Sequence, residues 1–190
     1  MSADAEIDLL ADEPSPQRVL ESEVAFDGAV WNVRRDRFVY GDGEIVREYV
    51  AHTGAVAVLA VDEDGRMLLL KQYRHPIATR DWELPAGLLD VEGEDPLEAA
   101  KRELEEEADL AAREWSPLIE FFTSPGGSDE LLRVYLARGL EPVNHDFERE
   151  GEEADMELRW EPVEAVLEAI RAGRVRNGIL VTATLAFASR

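Results

Sequence analysis

Residues 87–110 read GLLDVEGEDPLEAAKRELEEEADL, a glycine-containing turn running into a helix crowded with carboxylates. Just upstream, Leu70-Lys71-Gln72-Tyr73-Arg74 reads as the end of a strand and Trp82-Glu83-Leu84-Pro85-Ala86 as an extended approach. The helix is therefore entered from a sheet. Asp95 is the expected N-cap and Pro96 the first helical residue, where its missing N–H removes no hydrogen bond. At about 100° per residue, Leu97, Ala100, Leu104 and Ala108 form a narrow apolar stripe that should pack on the sheet. Glu103, Glu106 and Glu107, spaced i, i+3 and i, i+4, share an adjoining face, whereas Glu98 and Glu105 point elsewhere. Carboxylates that close repel one another unless a cation lies among them, and an all-oxygen donor set favours a hard ion, Mg²⁺ or Mn²⁺, over zinc. In a chain with 42 acidic residues the competing reading is an ordinary solvated face.

Order along the segment favours the metal site. Gly87, six residues, Glu94, seven residues, and then Arg102-Glu103-Leu104-Glu105-Glu106-Glu107-Ala108-Asp109-Leu110 resembles the signature box of the Nudix hydrolases. That box runs Gly, five residues, Glu, seven residues, Arg-Glu-apolar-x-Glu-Glu-x-Gly-apolar. The turn here is one residue longer, and Asp109 stands where the family has glycine. Neither departure removes a metal ligand. An extra residue in a surface turn costs little, and Asp tolerates a left-handed helix end better than most residues, although its charge sits badly with the dipole there.

Composition bounds the remaining possibilities. A chain of 190 residues supports one substantial core with room for a small appended subdomain. No apolar run approaches the roughly 20 residues of a membrane span, and the start MSADAEID has neither the basic end nor the apolar middle of an export signal. The absence of cysteine excludes disulfides, thiolate chemistry and cysteine-ligated zinc. A cytoplasmic protein is expected. The formal charge of −22 argues against nucleic acid as a partner, because no broad basic footprint exists. It leaves a phosphate substrate open, since metal ions and local arginines reverse the sign inside one cleft.

The chain reads as an acidic disordered tail over residues 1–15, an amino-terminal β-subdomain over 16–52 and the catalytic domain over 53–190. Strands are expected at 19–26, 29–40 and 45–52, separated by Asp27-Gly28 and Gly41-Asp42-Gly43. Buried strands follow at 54–61 and 67–73 around the turn Asp62-Glu63-Asp64-Gly65. After the box helix come strands at 115–122 and 131–137, an acidic loop over about 141–155, a strand at 157–160 and helices at 163–172 and 178–188. Mixed strands followed by helices indicate an α/β protein, a three-layer α/β/α sandwich with a mixed sheet.

The resemblance covers roughly residues 54–190, and the amino-terminal strands look like the extra antiparallel subdomain of the ADP-ribose pyrophosphatases within the family. It implies hydrolysis of ADP-ribose to AMP and ribose 5-phosphate, with another nucleoside diphosphate sugar, or a sensor that binds ADP-ribose without cleaving it, as alternatives. It also implies a homodimer in which the amino-terminal strands help to line the partner's site. Residues 123–130, TSPGGSDE, resemble the subfamily's substrate loop, although Ser-Pro-Gly-Gly is by itself only a tight turn. Carried over position by position, Glu103 and Glu107 are metal ligands with the backbone carbonyl of Ala86, joined by Glu106 or not. Arg102 orients the cluster and Glu94 braces the loop. Glu153 supplies the general base and contacts metal, with Glu152 or Asp155 as alternatives. Trp31 stacks on adenine, Arg74 contacts phosphate, Pro125 and Gly126 shape the substrate loop, and Glu130 accepts from ribose hydroxyls. No role is assigned to His52, His75 or His145.

Only Lys71 and Lys101 are lysines, and so acidic and lysine-poor a surface suits a salt-rich cytoplasm in which screening relieves self-repulsion; a high-GC genome accounts equally for the arginine bias. The salt reading expects the melting temperature to climb as KCl goes from low to molar concentration. A flat or falling curve rejects it.

Overall fold

The computed structural model describes residues 10–143 and 155–190. They fall into two compact units, Met1–Val50 and Ala51–Arg190. The expected tail lies partly outside the described residues, and 10–15 are exposed without regular structure.

The first unit is a three-stranded sheet in the order β1 (Val19–Asp27), β2 (Asn32–Tyr40), β3 (Gly43–Ala51). Its central strand is basic and its outer strands are acidic. Arg35 reaches Glu23 on β1 at 3.0 Å and Glu48 on β3 at 2.6 Å, and Arg37 reaches Glu21 at 3.2 Å and Glu44 at 2.7 Å. Cross-strand pairs of opposite charge fix register more than they add stability at such exposure. No described residue of this unit is buried.

The second unit is built on β4 (Ala55–Ala60), whose sequence AVAVLA is buried at every position. A continuous apolar run of this kind belongs to a strand covered on both faces. Residues Ala55, Ala57 and Leu59 face a cluster with Val166 of α2 (Val163–Arg171) and Leu180 and Ala183 of α3 (Gly178–Ala188). Val56, Val58 and Ala60 face Ala99, Ala100, Leu104 and Ala108 of α1 (Pro96–Ala108). Side-chain alternation along one strand thus creates the two helical layers of the expected sandwich.

In the four-stranded sheet, β4 pairs antiparallel with β7 (Ala86–Leu88) and parallel with β9 (Leu131–Pro142), which pairs antiparallel with β8 (Leu110–Phe122). A second, antiparallel sheet has the order β10 (Glu157–Pro162), β5 (Arg66–Arg74), β6 (Thr79–Glu83). The turn between β4 and β5 is the expected one: Gly65 adopts φ 74°, and the Asp62 carboxylate accepts from the N–H groups of Asp64 and Arg66.

Several local details differ from the sequence reading, among them β9, which runs to Pro142 and not to residue 137. Strand β6 was legible only as an extended approach, because its hairpin with β5 turns through a 3-10 turn at His75–Ile77 and a left-handed Ala78, without the glycine that marks such turns. Strand β8 begins at Leu110 rather than near residue 115. Its alanines have little strand preference, and pairing of Leu110–Ala112 with Pro142–Leu140 overrides that preference. On α1, Ala99 is buried and Leu97 only half-buried, so the contact stripe is displaced by part of a turn.

Leu104 is fully buried between α1 and the sheet, and truncating such a leucine typically costs about 2–5 kcal/mol. Leu104→Ala should lower the urea midpoint accordingly with an unchanged slope, as read by equilibrium denaturation.

Candidate active site

The site lies where β7 meets α1. Asp95 caps the helix, its carboxylate accepting from the Leu97 N–H at 2.9 Å, with Pro96 in the first turn. At the other end Asp109 takes the left-handed conformation, φ 56° and ψ 35°, in which the family has glycine. The substitution therefore leaves the helix end unchanged in shape. The lengthened turn before the helix closes with the Glu94 N–H donating to Val91 O at 3.1 Å, and Gly93 absorbs the reversal at φ 80°.

Gly87 explains why the segment opens on glycine. A Cβ at this position would lie 2.0 Å from the carboxyl carbon of Glu103, far inside van der Waals contact. The Glu103 carboxylate occupies the space that any side chain at Gly87 would need. Next to it, Glu107 is buried, and its Oε2 accepts the Ala86 N–H at 2.8 Å. Two consecutive residues of β7 thus lie against two carboxylates of α1, and Ala86 donates to one of them.

Arg102 gathers the remaining acids. Its Nε and Nη2 pair with Glu94 at 3.2 and 3.1 Å, and its Nη1 reaches Glu103 at 2.6 Å and Glu106 at 3.2 Å. The planar guanidinium suits this multiple pairing, which a lysine would not reproduce. Hydrogen bonding from Arg102 holds the Glu94 carboxyl below its usual range, and the Glu94 contact raises Arg102 in turn. Glu94, Arg102, Glu103 and Glu106 therefore form one charged network on the face expected from helical phase. Among the described residues no three acidic or imidazole groups converge on one point: Glu103 and Glu106 turn to Arg102, and Glu107 to Ala86.

A cleft of about 310 Å³ opens over these groups, lined by Ala86, Gly87, Arg102, Glu103, Glu106 and Glu107 and, from β5, by Gln72 and Arg74. Arg74 is brought to the same cleft but not as an isolated cation. It makes a two-pronged pair with Glu83 of β6 at 2.7 and 2.6 Å, while Gln72 contacts the same buried carboxylate at 3.4 Å. Neither Glu83 nor Gln72 was anticipated. The cross-strand register, which seats Glu83 opposite Leu70 and Asp81 opposite Gln72, depends on the glycine-free hairpin that the sequence does not announce.

A match to the family described as NUDIX domain spans residues 51–180. The chain belongs to the Nudix hydrolase family. This Nudix hydrolase is 45% identical to the ADP-ribose pyrophosphatase of Mycobacterium tuberculosis over 88% of its own length and 81% of that protein. It is 39% identical to the methanol dehydrogenase activator of Bacillus methanolicus over 65% of its length and 67% of the relative. A crystal structure of an ADP compounds hydrolase superposes with a TM-score of 0.78 over 94% of this chain and 96% of the other, at 19% identity. That likeness establishes the shared fold.

Glu130, Pro125 and Gly126 are not among the residues that line the box cleft. Glu130 lines a second cleft of about 480 Å³, with Phe121, Phe122, Thr123, Asn177, Gly178, Ile179 and Thr182. Pro125 and Gly126 are exposed in the tight turn before it, closed by the Gly127 and Ser128 N–H groups on Ser124 O. Trp31 belongs to the first unit, half-buried between β1 and β2. Glu152 and Glu153 lie outside the described residues, as does His145; Asp155 is exposed. Among the described residues no helix is long and apolar enough to cross a membrane.

The seat at Gly87 carries a direct test. Gly87→Ala must drive the Glu103 carboxylate off β7, and because the position is half-buried at the rim of the cleft the fold should survive. Hydrolysis should drop by about a hundredfold or more with a far-ultraviolet circular dichroism spectrum like that of the parent chain. Retained turnover would show that the seat is dispensable.

Proposed function

We propose that this Nudix hydrolase cleaves the diphosphate of ADP-ribose to AMP and ribose 5-phosphate, using Mg²⁺ with Mn²⁺ as a substitute. The observation that carries the reading is the seating of Glu103 and Glu107 on Gly87 and Ala86 inside the cleft that Arg74 enters. Members of the family use divalent metal ions, and the donor types here are those that a hard ion takes, carboxylate and carbonyl oxygens without sulfur or imidazole. Glu103, Glu107 and the Ala86 carbonyl would hold the ions, with Glu106 in support. The bound metal supplies charge neutralisation at the diphosphate and a more acidic water.

The chain's own residues do the rest. Arg102 already holds Glu103 and Glu106 together against their mutual repulsion, so their positions are set before any substrate arrives. Arg74, its orientation fixed by Glu83, lines the cleft that would take the phosphates. Attack of water oxygen on one phosphorus expels the bridging oxygen with the other half of the substrate, and the water proton passes to a carboxylate. We assign that base to Glu153, with Glu152 or Asp155 as the alternative, from the resemblance of this loop to the family pattern.

The substrate assignment rests on the M. tuberculosis relative and on the Ser-Pro-Gly-Gly turn leading to Glu130. The box loop after Leu88 and the segment before Leu131 leave the same end of the sheet, since Ala55 pairs with both Leu88 and Leu132. An extended dinucleotide-like substrate, diphosphate at the box and terminal ribose at Glu130, suits that arrangement. Trp31 would stack on adenine from the amino-terminal sheet, and Pro125 and Gly126 would shape the loop around the sugar. That sheet exposes Val24, Phe26, Val30, Tyr40 and Val46 and buries nothing. Apolar side chains left exposed in this number mark an interaction surface, which supports a homodimer assembled through the sheet. A cysteine-free chain fits a reducing cytoplasm.

The test is turnover of ADP-ribose, GDP-mannose and a dinucleoside polyphosphate, each with Mg²⁺ and with a chelator, beside Glu107→Gln. We expect ADP-ribose to be preferred, the chelator to abolish activity and Glu107→Gln to reduce kcat about a thousandfold. Metal-independent turnover would refute the mechanism, and preference for another compound in the panel would refute only the substrate.

A further inference from the structure

His52 has no expected role, yet the fold buries it against Glu130. Its side chain is only 7% exposed and its Nε2 stands 3.4 Å from Glu130 Oε1. Ring and backbone are each held. The Gly54 N–H donates to His52 Nδ1 at 3.0 Å, and the backbone N–H of His52 donates to Asp129 Oδ1 at 2.7 Å. A backbone N–H can only donate, so Nδ1 is the acceptor nitrogen and the neutral ring carries its proton on Nε2, facing Glu130. Gly54 can serve this purpose because it adopts φ 90° while its carbonyl accepts the Leu89 N–H at 3.1 Å. The ring is thereby keyed to the start of the box loop.

The other oxygen of Glu130 is held as well. Oε2 accepts the hydroxyl of Thr123, and the Glu130 N–H donates to Ser128 Oγ at 3.2 Å. A carboxylate has about four acceptor positions, two on each oxygen. The Thr123 hydroxyl on Oε2 and the His52 ring nitrogen 3.4 Å from Oε1 each take up one position, which leaves one acceptor position on each oxygen of a carboxylate that lines the cleft. That is the complement of two neighbouring hydroxyl groups.

We propose that His52 is a positioning residue that makes Glu130 selective for a vicinal diol, the terminal sugar of the substrate. The inference rests on the reading of Glu130 as the sugar's acceptor. By fixing the carboxylate plane, His52 and Thr123 present both oxygens at once to a diol, and a sugar lacking one hydroxyl leaves one acceptor unmatched. Such a mismatch discriminates because a bound sugar displaces water from that acceptor without replacing its hydrogen bond. Since the contact is remote from the diphosphate, it acts on binding and not on the chemical step.

Steady-state kinetics of the full chain decide this, with ADP-ribose and its analogue carrying a 2-deoxy terminal ribose. His52→Ala should raise KM for ADP-ribose about tenfold, keep kcat within about twofold, and leave KM for the deoxy analogue near its parent value. His52→Gln, whose amide can still donate to Glu130, should recover most of the loss. A general destabilisation would move both substrates alike and would not be rescued, so equal shifts for the two substrates, an absent shift, or a Gln variant as poor as Ala overturns the proposal. Glu130→Ala separates the two readings. If it raises KM for ADP-ribose while His52→Ala does not, only the role of His52 fails; if it leaves KM unchanged, the assignment of Glu130 fails with it.

Discussion

The carboxylate of Glu103 lies in the volume that a side chain at Gly87 would fill, so α1 and β7 approach closely at this point. Because α1 is pressed onto β7 at Gly87, Glu107 falls one turn further along and meets the Ala86 N–H. Arg102, on the preceding residue, then spans Glu94, Glu103 and Glu106. The apolar side of the same helix is packed on the sheet, with Ala99, Ala100, Leu104 and Ala108 buried against Val56, Val58 and Ala60.

The charge of the chain is managed by arginine throughout. With more than twice as many acidic as basic residues, the structure concentrates its cations where carboxylates must approach. Arg35 and Arg37 bridge the acidic outer strands of the first unit, Arg74 satisfies the buried Glu83, and Arg102 joins the box acids. A guanidinium meets two carboxylates at once in fixed geometry, which an ammonium does not. The three cases differ in effect. The exposed pairs of the sheet mainly set register, whereas at Glu83 and Glu103 an unpaired carboxylate would be costly because little water reaches it.

Helical phase alone was enough to separate Glu103, Glu106 and Glu107 from Glu98 and Glu105, since a helix of known start has its faces determined by residue number. The sandwich was legible for a similar reason: AVAVLA is apolar at every position, and only a strand covered on both faces tolerates that. The expectations that slipped did so where tertiary pairing overrides local preference. Alanines at the start of β8 become strand because Leu140–Pro142 lie opposite, and Ala78 takes a left-handed conformation because the β5–β6 hairpin closes there.

By itself the sequence determined the box, its helix, the acids on one face and the family, because these depend on spacing within a short segment of regular geometry. Only the tertiary structure decided which groups meet across the fold. Glu83 reaches Arg74 through strand register, Glu103 settles on Gly87 through helix-to-strand packing, and His52 reaches Glu130, far along the chain, through the parallel pairing of β4 with β9. Such contacts are set by how separate elements pack, and no periodicity within either element records them.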